Sequence, residues 1–195
     1  MRISGGKACG IPLRVSQKSS IRPAMETTRE RIFSSLQNTL DEARVLDLFA
    51  GSGAYGLEAL SRGASEATMV EKNFRVFGDL KVNLAAVLKS AELQGTAGIL
   101  INRNVLDFLQ TKPELPYDLI FIDPPYSEID RIFSKIFELV RLNEFLAPNG
   151  QVIFETPGEF LGEHKDWQLD RIIGKEKRGS PVHRVFIPTH PRSDQ

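Results

Sequence analysis

A chain of 195 residues is long enough for one α/β domain with a full core, and its apolar and charged fractions, 41% and 26%, are those of an ordinary globular protein. The formal net charge of +0 is poor for a uniformly basic nucleic-acid binder. The single cysteine, Cys9, excludes an internal disulfide, no apolar run reaches the ~18 residues of a membrane helix, and the N-terminus has no signal-peptide core. We therefore expect a cytoplasmic protein.

The charge is unevenly distributed along the chain. Residues 1–31 hold seven basic residues against two acids, a net of +5, so the remainder carries −5. The basic residues are Arg2, Lys7, Arg14, Lys18, Arg22, Arg29 and Arg31, and the tail adds Lys175, Lys177, Arg178 and Arg184. This asymmetry predicts that a polyanion docks on one side of the protein. The alternative is a basic arm that only improves solubility.

The N-terminal segment is predicted to form a small extension before the main α/β units. Residues 1–15 have the pattern of two short strands in a hairpin, and residues 16–24 form a polar loop. Apolar residues then recur at helical spacing from Glu26 to about Asn38, which places Arg29 and Arg31 on the wetter face of the helix. The loop and the start of the helix are expected to contact this polyanion and to cover a ligand site, with Arg22 as the main candidate; a plain surface arginine is the alternative.

The stretch from Val45 to Gly56 predicts a buried strand (44–49), a glycine turn and a helix (54–62). Glycines at 51 and 53 allow positive φ angles and let a ligand approach the backbone, and the first N–H groups of the helix face that ligand. The spacing Gly51-x-Gly53-x-x-Gly56 fits the dinucleotide fingerprint, and Glu71 follows 20 residues after Gly51, where an acid binds a ribose. The turn therefore indicates a nucleoside ligand.

Asp47, inside the predicted strand, narrows the choice of ligand. An acid in a parallel strand is costly to bury without a partner, so near the carboxyl end of the strand it favours a cationic ligand group. NAD brings a pyrophosphate to this region, whereas S-adenosylmethionine has no phosphate and carries an ammonium and a sulfonium group. We expect S-adenosylmethionine. The alternative is an ordinary strand–helix turn whose acid is bound by backbone N–H groups.

Further α/β units follow the first. The predicted elements are strands at 66–71, 97–101 and 117–122, a helix at 73–89 and a weak helix at 104–110. Asn104 stands at the carboxyl end of a strand, where its side-chain oxygen could accept a hydrogen bond from the adenine amino group. Asp107 is expected to be an exposed helix acid.

The segment Asp123-Pro124-Pro125-Tyr126 follows the predicted strand 117–122. Two prolines fix φ and remove two donors, so the chain leaves the sheet as a stiff, extended segment. The Asp123 carboxylate and the Pro124 carbonyl can bind the hydrogens of an exocyclic amine and aim its lone pair at a methyl group, while the Tyr126 ring stacks on the base. The alternative is an ordinary turn after a strand.

The C-terminal third is predicted to complete the sheet. An amphipathic helix runs from Ile129 to Val140, residues 146–150 form a turn, and residues 152–154 form a strand. Glu155, at the same rim as Asp47 and Asp123, is interpreted as a loop cap rather than a site-facing acid. Two further strands, about 167–175 and 182–187, close the chain, and residues 190–195 are expected to fray.

These motifs together resemble one enzyme family. Phe-Ala-Gly-Ser-Gly at 49–53 with Asp-Pro-Pro-Tyr at 123–126 is similar to amino-group methyltransferases, and Arg2 to Lys7, Arg22-Pro23, Arg29 to Phe33 and Gly56 to Ala64 resemble the RsmD family. The resemblance covers about residues 1–187. It implies S-adenosylmethionine as cofactor and methylation of a guanine N2 in small-subunit (16S) ribosomal RNA. The sequence departs from the family at Ile11 and Ala24 to Thr27, in the segment expected to face RNA.

The resemblance also implies a fold and a set of site residues. The fold is α/β, a Rossmann-like class I methyltransferase with a mostly parallel seven-stranded sheet, a terminal antiparallel hairpin and a small N-terminal hairpin and helix extension. Residues 1–40 would form the RNA-contacting extension and 41–189 one compact methyltransferase domain. The expected catalytic residues are Asp123, Pro124, Pro125 and Tyr126. The expected cofactor-binding residues are Asp47, Phe49, Gly51, Ser52, Gly53, Glu71, Lys72, Asn104, Val105 and Asp123. The expected RNA-binding residues are Arg2, Lys7, Arg22, Arg29 and Arg178, with no metal site.

The partner implied is ribosomal RNA, as the small subunit or its assembly intermediate, and a monomer is the default. Three rivals remain at this stage. An adenine-N6 DNA methyltransferase shares Asp-Pro-Pro-Tyr, but 195 residues leave little room for a target-recognition domain. A non-catalytic RNA-binding assembly factor would not need that motif, and an NAD-dependent reductase would bind a different nucleotide.

Overall fold

The computed structural model describes residues 1–15 and 23–189, with the backbone alone for 23–26. The chain divides into two compact units, Met1–Val105 and Leu106–Gln195, and the strands belong to one seven-stranded, mostly parallel sheet with an antiparallel edge. The predicted α/β fold, with a mostly parallel seven-stranded sheet and a terminal antiparallel hairpin, is thereby confirmed. In the described residues no helix combines the length and apolar character needed to cross a membrane.

The first unit contains three parallel strands in the order β3-β2-β1. Its elements are α1 (Pro23–Ser35), α2 (Gln37–Leu40), β1 (Arg44–Leu48), α3 (Ala54–Ser61), β2 (Glu66–Val70), α4 (Phe74–Ala91) and β3 (Gly98–Ile101). Strand β1 is buried on both faces, as in a covered parallel sheet, with Val45, Leu46 and Leu48 fully buried. Asn73 is the N-cap of α4: its side chain accepts hydrogen bonds from the N–H groups of Arg75 and Val76.

The second unit contains strands in the order β4-β5-β7-β6. A short helix α5 (Val105–Phe108) precedes β4 (Tyr117–Ile122), a 3-10 turn (Tyr126–Glu128), α6 (Ile129–Leu142), β5 (Leu146–Pro157), β6 (Trp167–Ile173) and β7 (Pro181–Pro188). Strands β4 and β5 are parallel, whereas β7 is antiparallel to both β5 and β6. The apolar face of α6 buries Phe133 and Phe137, which pack on Phe154 and Phe186.

The N-terminal hairpin is less regular than predicted. Residues 1–15 contain one isolated antiparallel bridge, Arg2 with Pro12, and no extended strand. Three backbone hydrogen bonds join its arms, and the segment packs on α3, where Glu58 accepts hydrogen bonds from the N–H and the hydroxyl of Ser4. Tertiary contacts to α3, rather than strand pairing, hold this segment in place.

Arg29 on α1 is buried, although the helical pattern predicts that it faces solvent. Its side chain is only 4% exposed, and its guanidinium lies 3.4 Å from the fully buried Glu58 and donates to the carbonyl of Arg2. The prediction that Arg29 lies on the solvent-facing side of the helix is therefore wrong. A buried arginine needs an anionic partner, and Glu58, 29 positions away, supplies it. Arg31 is exposed, as predicted.

The predicted turn at 146–150 is also wrong, because these residues form the first half of β5. The register between β4 and β5 shifts between Tyr117 and Leu119, so the Pro148-Asn149-Gly150 sequence is accommodated as an irregularity within the strand. A Cβ atom at Gly150 would lie 3.0 Å from the carbonyl oxygen of Asp118, which explains the glycine.

Candidate active site

The glycine turn after β1 has the left-handed backbone that the sequence predicts. Phe49, Gly51 and Gly53 have φ angles of 64°, 56° and 86°. Positive φ is costly for a residue with a Cβ such as Phe49, and strain of this kind concentrates at functional sites. The turn ends with Gly53 as the residue preceding α3, and the Gly56 N–H in the first turn of that helix donates to the Asp47 carboxylate.

The two glycines in this turn have different surroundings. A Cβ atom at Gly53 would stand 2.5 Å from Leu80 Cδ1 and 2.8 Å from Leu57 Cδ1, so this position is closed by the core. A Cβ atom at Gly51 would meet nothing nearer than the Phe49 carbonyl oxygen at 3.9 Å. Gly53 is thus required for packing, whereas the space beside Gly51 is open for a ligand to approach the backbone.

Asp47 is the buried acid of the turn. Its side chain is 1% exposed; Oδ2 accepts a 2.8 Å hydrogen bond from the Gly56 N–H, while Oδ1 has no hydrogen-bond partner among the described residues. Burial raises the pKa of Asp47 to about 7, the Gly56 hydrogen bond opposes this, and the charge of Glu71 adds to it. A buried carboxylate with one unsatisfied oxygen suits a ligand that brings a positive charge or a donor.

Glu71, the residue after β2, binds the backbone of the glycine turn. Its Oε2 accepts from the Gly51 N–H at 3.0 Å and its Oε1 from the Asn73 N–H at 2.6 Å. Each carboxylate oxygen retains a lone pair for a ribose hydroxyl. Asn102, which the sequence analysis did not single out, donates to the Glu71 carbonyl at 2.7 Å and so fixes the backbone beneath this acid.

Of the remaining expected cofactor residues, Ser52 lies in the same turn, Lys72 follows β2, and Asn104 and Val105 follow β3, whereas Asp123 follows β4. Ser52 is half-buried, and its carbonyl accepts from the buried Asn83, another residue that sequence reasoning missed because it lies in the middle of α4. Lys72 and Asn104 are exposed, and Val105 is buried. The helical pattern gave no signal for Asn83, since its partners are backbone groups far away in the sequence.

The Asp-Pro-Pro-Tyr segment directly follows β4. Asp123 is half-buried, Pro124 buried and Pro125 exposed. Pro125 has φ −54° and ψ 129°, and its carbonyl accepts a 2.8 Å hydrogen bond from Glu128, which closes a 3-10 turn beginning at Tyr126. The backbone of the segment is therefore extended and then sharply turned, as two prolines dictate.

Tyr126 has an exposed ring and an anchored hydroxyl. The residue is 42% exposed, and its hydroxyl donates a 3.1 Å hydrogen bond to Glu155 Oε1. Burial of the hydroxyl raises the pKa of Tyr126, and the charge of Glu155 and the hydrogen bond to it raise it further, so the phenol stays protonated at neutral pH. The interpretation of Glu155 as a loop cap is wrong, because its carboxylate contacts the side chains of Tyr126 and His183.

Three predicted RNA-binding residues are placed where a polyanion could reach them. Arg2, Lys7 and Arg178 are exposed. Arg178 lies in the turn between β6 and β7, which is fixed by a 2.9 Å hydrogen bond from the Gly179 N–H to Glu159 Oε2. Arg22 lies outside the described residues. Within residues 1–15 and 23–189, no group of three histidine, cysteine or acidic side chains could hold a metal ion.

The geometry around β1 and β2 fits S-adenosylmethionine. The unsatisfied Asp47 oxygen suits a cationic donor, the open side of Gly51 leaves room at the backbone, and Glu71 presents lone pairs for ribose hydroxyls. Glu71 and Asp47 are both acidic, which disfavours a pyrophosphate at this place.

Comparison with known proteins identifies relatives over most of the chain. The profile of a family described as "Conserved hypothetical protein 95" matches residues 1–184. The Escherichia coli (strain K12) protein named "Ribosomal RNA small subunit methyltransferase D" is 35% identical over 188 residues, which cover 95% of this chain and 89% of the relative.

Solved structures agree with the sequence relatives. The structure of yhhF from Escherichia coli, which carries a methyltransferase name, has a TM-score of 0.80 at 31% identity, with 95% of this chain and 96% of that chain covered. A protein from Streptococcus mutans named as a SAM-dependent methyltransferase shares the fold, with a TM-score of 0.60 at 18% identity over 80% of this chain and 48% of that one.

The fold is thus that of S-adenosylmethionine-dependent methyltransferases, as predicted. The match to the family profile spans nearly the whole chain, and it includes both the glycine turn and the Asp-Pro-Pro-Tyr segment. The chain belongs to the family described as Conserved hypothetical protein 95, the RsmD-like methyltransferases that its motifs indicate.

Proposed function

We propose that this protein transfers a methyl group from S-adenosylmethionine to the exocyclic N2 amine of a guanine in small-subunit (16S) ribosomal RNA. The observation that carries the proposal is the Asp123–Tyr126 segment: a half-buried carboxylate, a proline-fixed carbonyl and an exposed aromatic ring directly after β4. The name of the Escherichia coli relative supports ribosomal RNA of the small subunit as the substrate.

The residues of the first unit would hold the cofactor. Asp47 places its unsatisfied oxygen toward the cationic part of the ligand, Gly51 admits the ligand to the backbone, and Glu71 accepts from the ribose hydroxyls. When bound, S-adenosylmethionine supplies an electrophilic methyl group on a positively charged sulfur. Phe49, Ser52, Gly53, Lys72, Asn104 and Val105 complete the proposed site.

The residues of the second unit would prepare the amine. The guanine N2 lone pair is delocalised into the ring, so the amine is a weak nucleophile. The Asp123 carboxylate and the Pro124 carbonyl accept its two hydrogens, which favours a pyramidal nitrogen and directs the lone pair. Tyr126 presents its ring for stacking on the base. A strong base is not required, because the proton is lost after the nitrogen has gained its fourth bond.

RNA contacts would come from residues outside the chemistry. The exposed Arg2, Lys7 and Arg178 are the candidates that the structure describes, and they would contact phosphates rather than read the sequence of bases. We further propose that residues 1–40 form the RNA-contacting extension and that residues 41–189 carry out methyl transfer. A target base in a loop needs less distortion than one that must be flipped from a duplex.

Asp123→Ala tests the proposal directly. Removal of one of the two acceptors should lower methylation of unmodified small ribosomal subunits by about 10²-fold or more, in the range seen when one preorganised polar group is deleted from an active site. S-adenosylhomocysteine binding, measured by calorimetry, should fall only modestly. Nucleoside mass spectrometry identifies the product and separates N2-methylguanosine from N6-methyladenosine.

The matched control is Asp130→Ala, which removes an exposed aspartate from the first turn of α6 and should leave methylation unchanged. Unaltered methylation by the Asp123→Ala protein would contradict the assignment. So would unchanged N2-methylguanosine in ribosomal RNA from cells that lack the protein.

A further inference from the structure

Tyr126, Glu155 and His183 form a chain of contacts in the second unit. The Tyr126 hydroxyl donates to Glu155 Oε1 at 3.1 Å, and His183 Nε2 lies 3.1 Å from Glu155 Oε2. Glu155 and His183 are 7% and 2% exposed, so the carboxylate that binds the tyrosine is buried, and its other oxygen contacts His183.

The backbone fixes the two buried members of this chain. Glu155 in β5 and His183 in β7 are direct partners in the antiparallel ladder, with Phe154–Arg184 and Thr156–Val182 paired on either side. Cross-strand neighbours of this kind hold their Cβ atoms about 5 Å apart, which lets the imidazole reach the carboxylate without strain. The position of the Glu155 carboxylate is thereby set by the sheet.

The exposed member, Tyr126, is held at its backbone and at its hydroxyl. Pro125 and the hydrogen bond from Glu128 to the Pro125 carbonyl hold the backbone of Tyr126, while the ring itself is 42% exposed. The ring of a half-exposed tyrosine can rotate about its side-chain torsions unless its hydroxyl is held. In the described residues the hydrogen bond to Glu155 supplies this restraint.

We propose that Glu155, supported by His183, is a positioning residue that holds the Tyr126 ring in the orientation needed to stack on the target base. This inference rests on the proposed function. The reason is that stacking depends on the plane of the ring and contributes to alignment of the amine only when that plane is preset. Glu155 acts through the tyrosine and does not touch the reacting atoms.

A double-mutant cycle tests the inference with small ribosomal subunits as substrate. Tyr126→Phe keeps the ring and removes the hydroxyl, and Glu155→Ala removes the acceptor. Each should lower kcat about tenfold, and the double variant should also lose about tenfold rather than a hundredfold, because both changes break the same contact. Glu155→Gln retains an oxygen acceptor and should recover most of the loss. Binding of S-adenosylhomocysteine should stay within twofold, about the error of such a comparison.

Controls and contrary outcomes separate this inference from the proposed function. Glu138→Gln, an exposed acid on α6 whose Oε2 lies 3.0 Å from Lys135 Nζ, should behave as the wild type. If the wild type forms N2-methylguanosine but Tyr126→Phe has full kcat, the inference is wrong and the function stands. If the double variant lost about a hundredfold in kcat, the product of the two single losses, the inference would likewise be wrong and the proposed function would stand. If Glu155→Ala fails to fold, Tyr126→Phe and Glu155→Gln still decide. No N2-methylguanosine with the wild type contradicts both proposals.

Discussion

At the scale of single residues, Asp47 shows how a buried acid affects the stability of the protein. Burial raises its pKa from 3.8 to about 7, so the folded state holds a proton that the unfolded state has released. Between these two values the unfolded state binds fewer protons, so the stability that this proton provides is full below pH 4 and is lost as pH rises to about 7. A cationic ligand would reverse the penalty by pairing with the carboxylate.

Asp47→Asn should therefore stabilise the ligand-free protein at alkaline pH while weakening ligand binding. From pH 5 to about pH 7 the folded state keeps the proton that the unfolded state has lost. These roughly two pH units correspond to about 3 kcal/mol, so the wild type should lose about that much unfolding free energy relative to the variant between pH 5 and pH 8. Urea unfolding at the two pH values measures the difference, and calorimetry with S-adenosylhomocysteine at pH 8 should show weaker binding to the variant. If the unfolding free energies of the two proteins depended on pH in the same way, Asp47 would not be a buried acid with a raised pKa.

Single residues also mark where sequence reasoning stops. Asp47, Gly51 and Glu71 could be named from the sequence because their spacing within one strand–turn–helix–strand unit, from β1 to the end of β2, restricts what they can contact. Arg29 could not be placed, because its burial depends on Glu58, which faces it from another helix. The same holds for Glu155, whose partner His183 is 28 positions away and becomes its neighbour only when β5 and β7 pair.

At the scale of elements, the glycine turn places two glycines with different surroundings within three residues. The Gly53 position is closed by Leu57 and Leu80, whereas the Gly51 position is open, although both have positive φ. The two glycines thus form a natural pair of probes, because both have positive φ and their surroundings differ.

Gly53→Ala should cost about 3 kcal/mol of unfolding free energy, since its methyl group would overlap two leucine side chains in addition to the strain of positive φ. Gly51→Ala should cost only about 1 kcal/mol but weaken S-adenosylhomocysteine binding about tenfold, since its methyl group would stand where the ligand approaches. Urea unfolding and calorimetry on both variants distinguish the effects. Equal loss of stability in the two variants would contradict the assignment of separate roles.

The strands and helices differ in how well the sequence located them. Helices α3, α4 and α6 and strand β4 agree closely with prediction, because each has a long apolar period or run bounded by a turn signal. The start of β5 was missed, since Pro148-Asn149-Gly150 has turn chemistry and only the shifted pairing with β4 keeps it within the sheet. The N-terminal hairpin was overestimated for the opposite reason: its short apolar alternation packs on α3 instead of forming strands.

At the scale of the whole molecule, a net charge of +0 means that RNA binding must depend on where the charges lie. Arg29 no longer counts toward an exposed basic surface, because Glu58 neutralises it in the interior. Arg2, Lys7 and Arg178 remain exposed. Each phosphate contact that these residues make releases counterions, so RNA affinity should fall steeply with salt.

Arg178→Ala tests this distribution of charge. If Arg178 contacts a phosphate, the variant should bind small-subunit RNA more weakly at every sequence tested, and the slope of log affinity against log salt should become shallower by about 1. Lys135→Ala is the control, because Lys135 Nζ lies 3.0 Å from Glu138 Oε2 on α6, so its charge is already compensated. Filter binding between 50 and 200 mM salt, roughly the range over which phosphate contacts are resolved, measures both slopes. An unchanged slope for Arg178→Ala would remove this turn from the RNA-contacting surface and leave that role to Arg2, Lys7 and the residues around them.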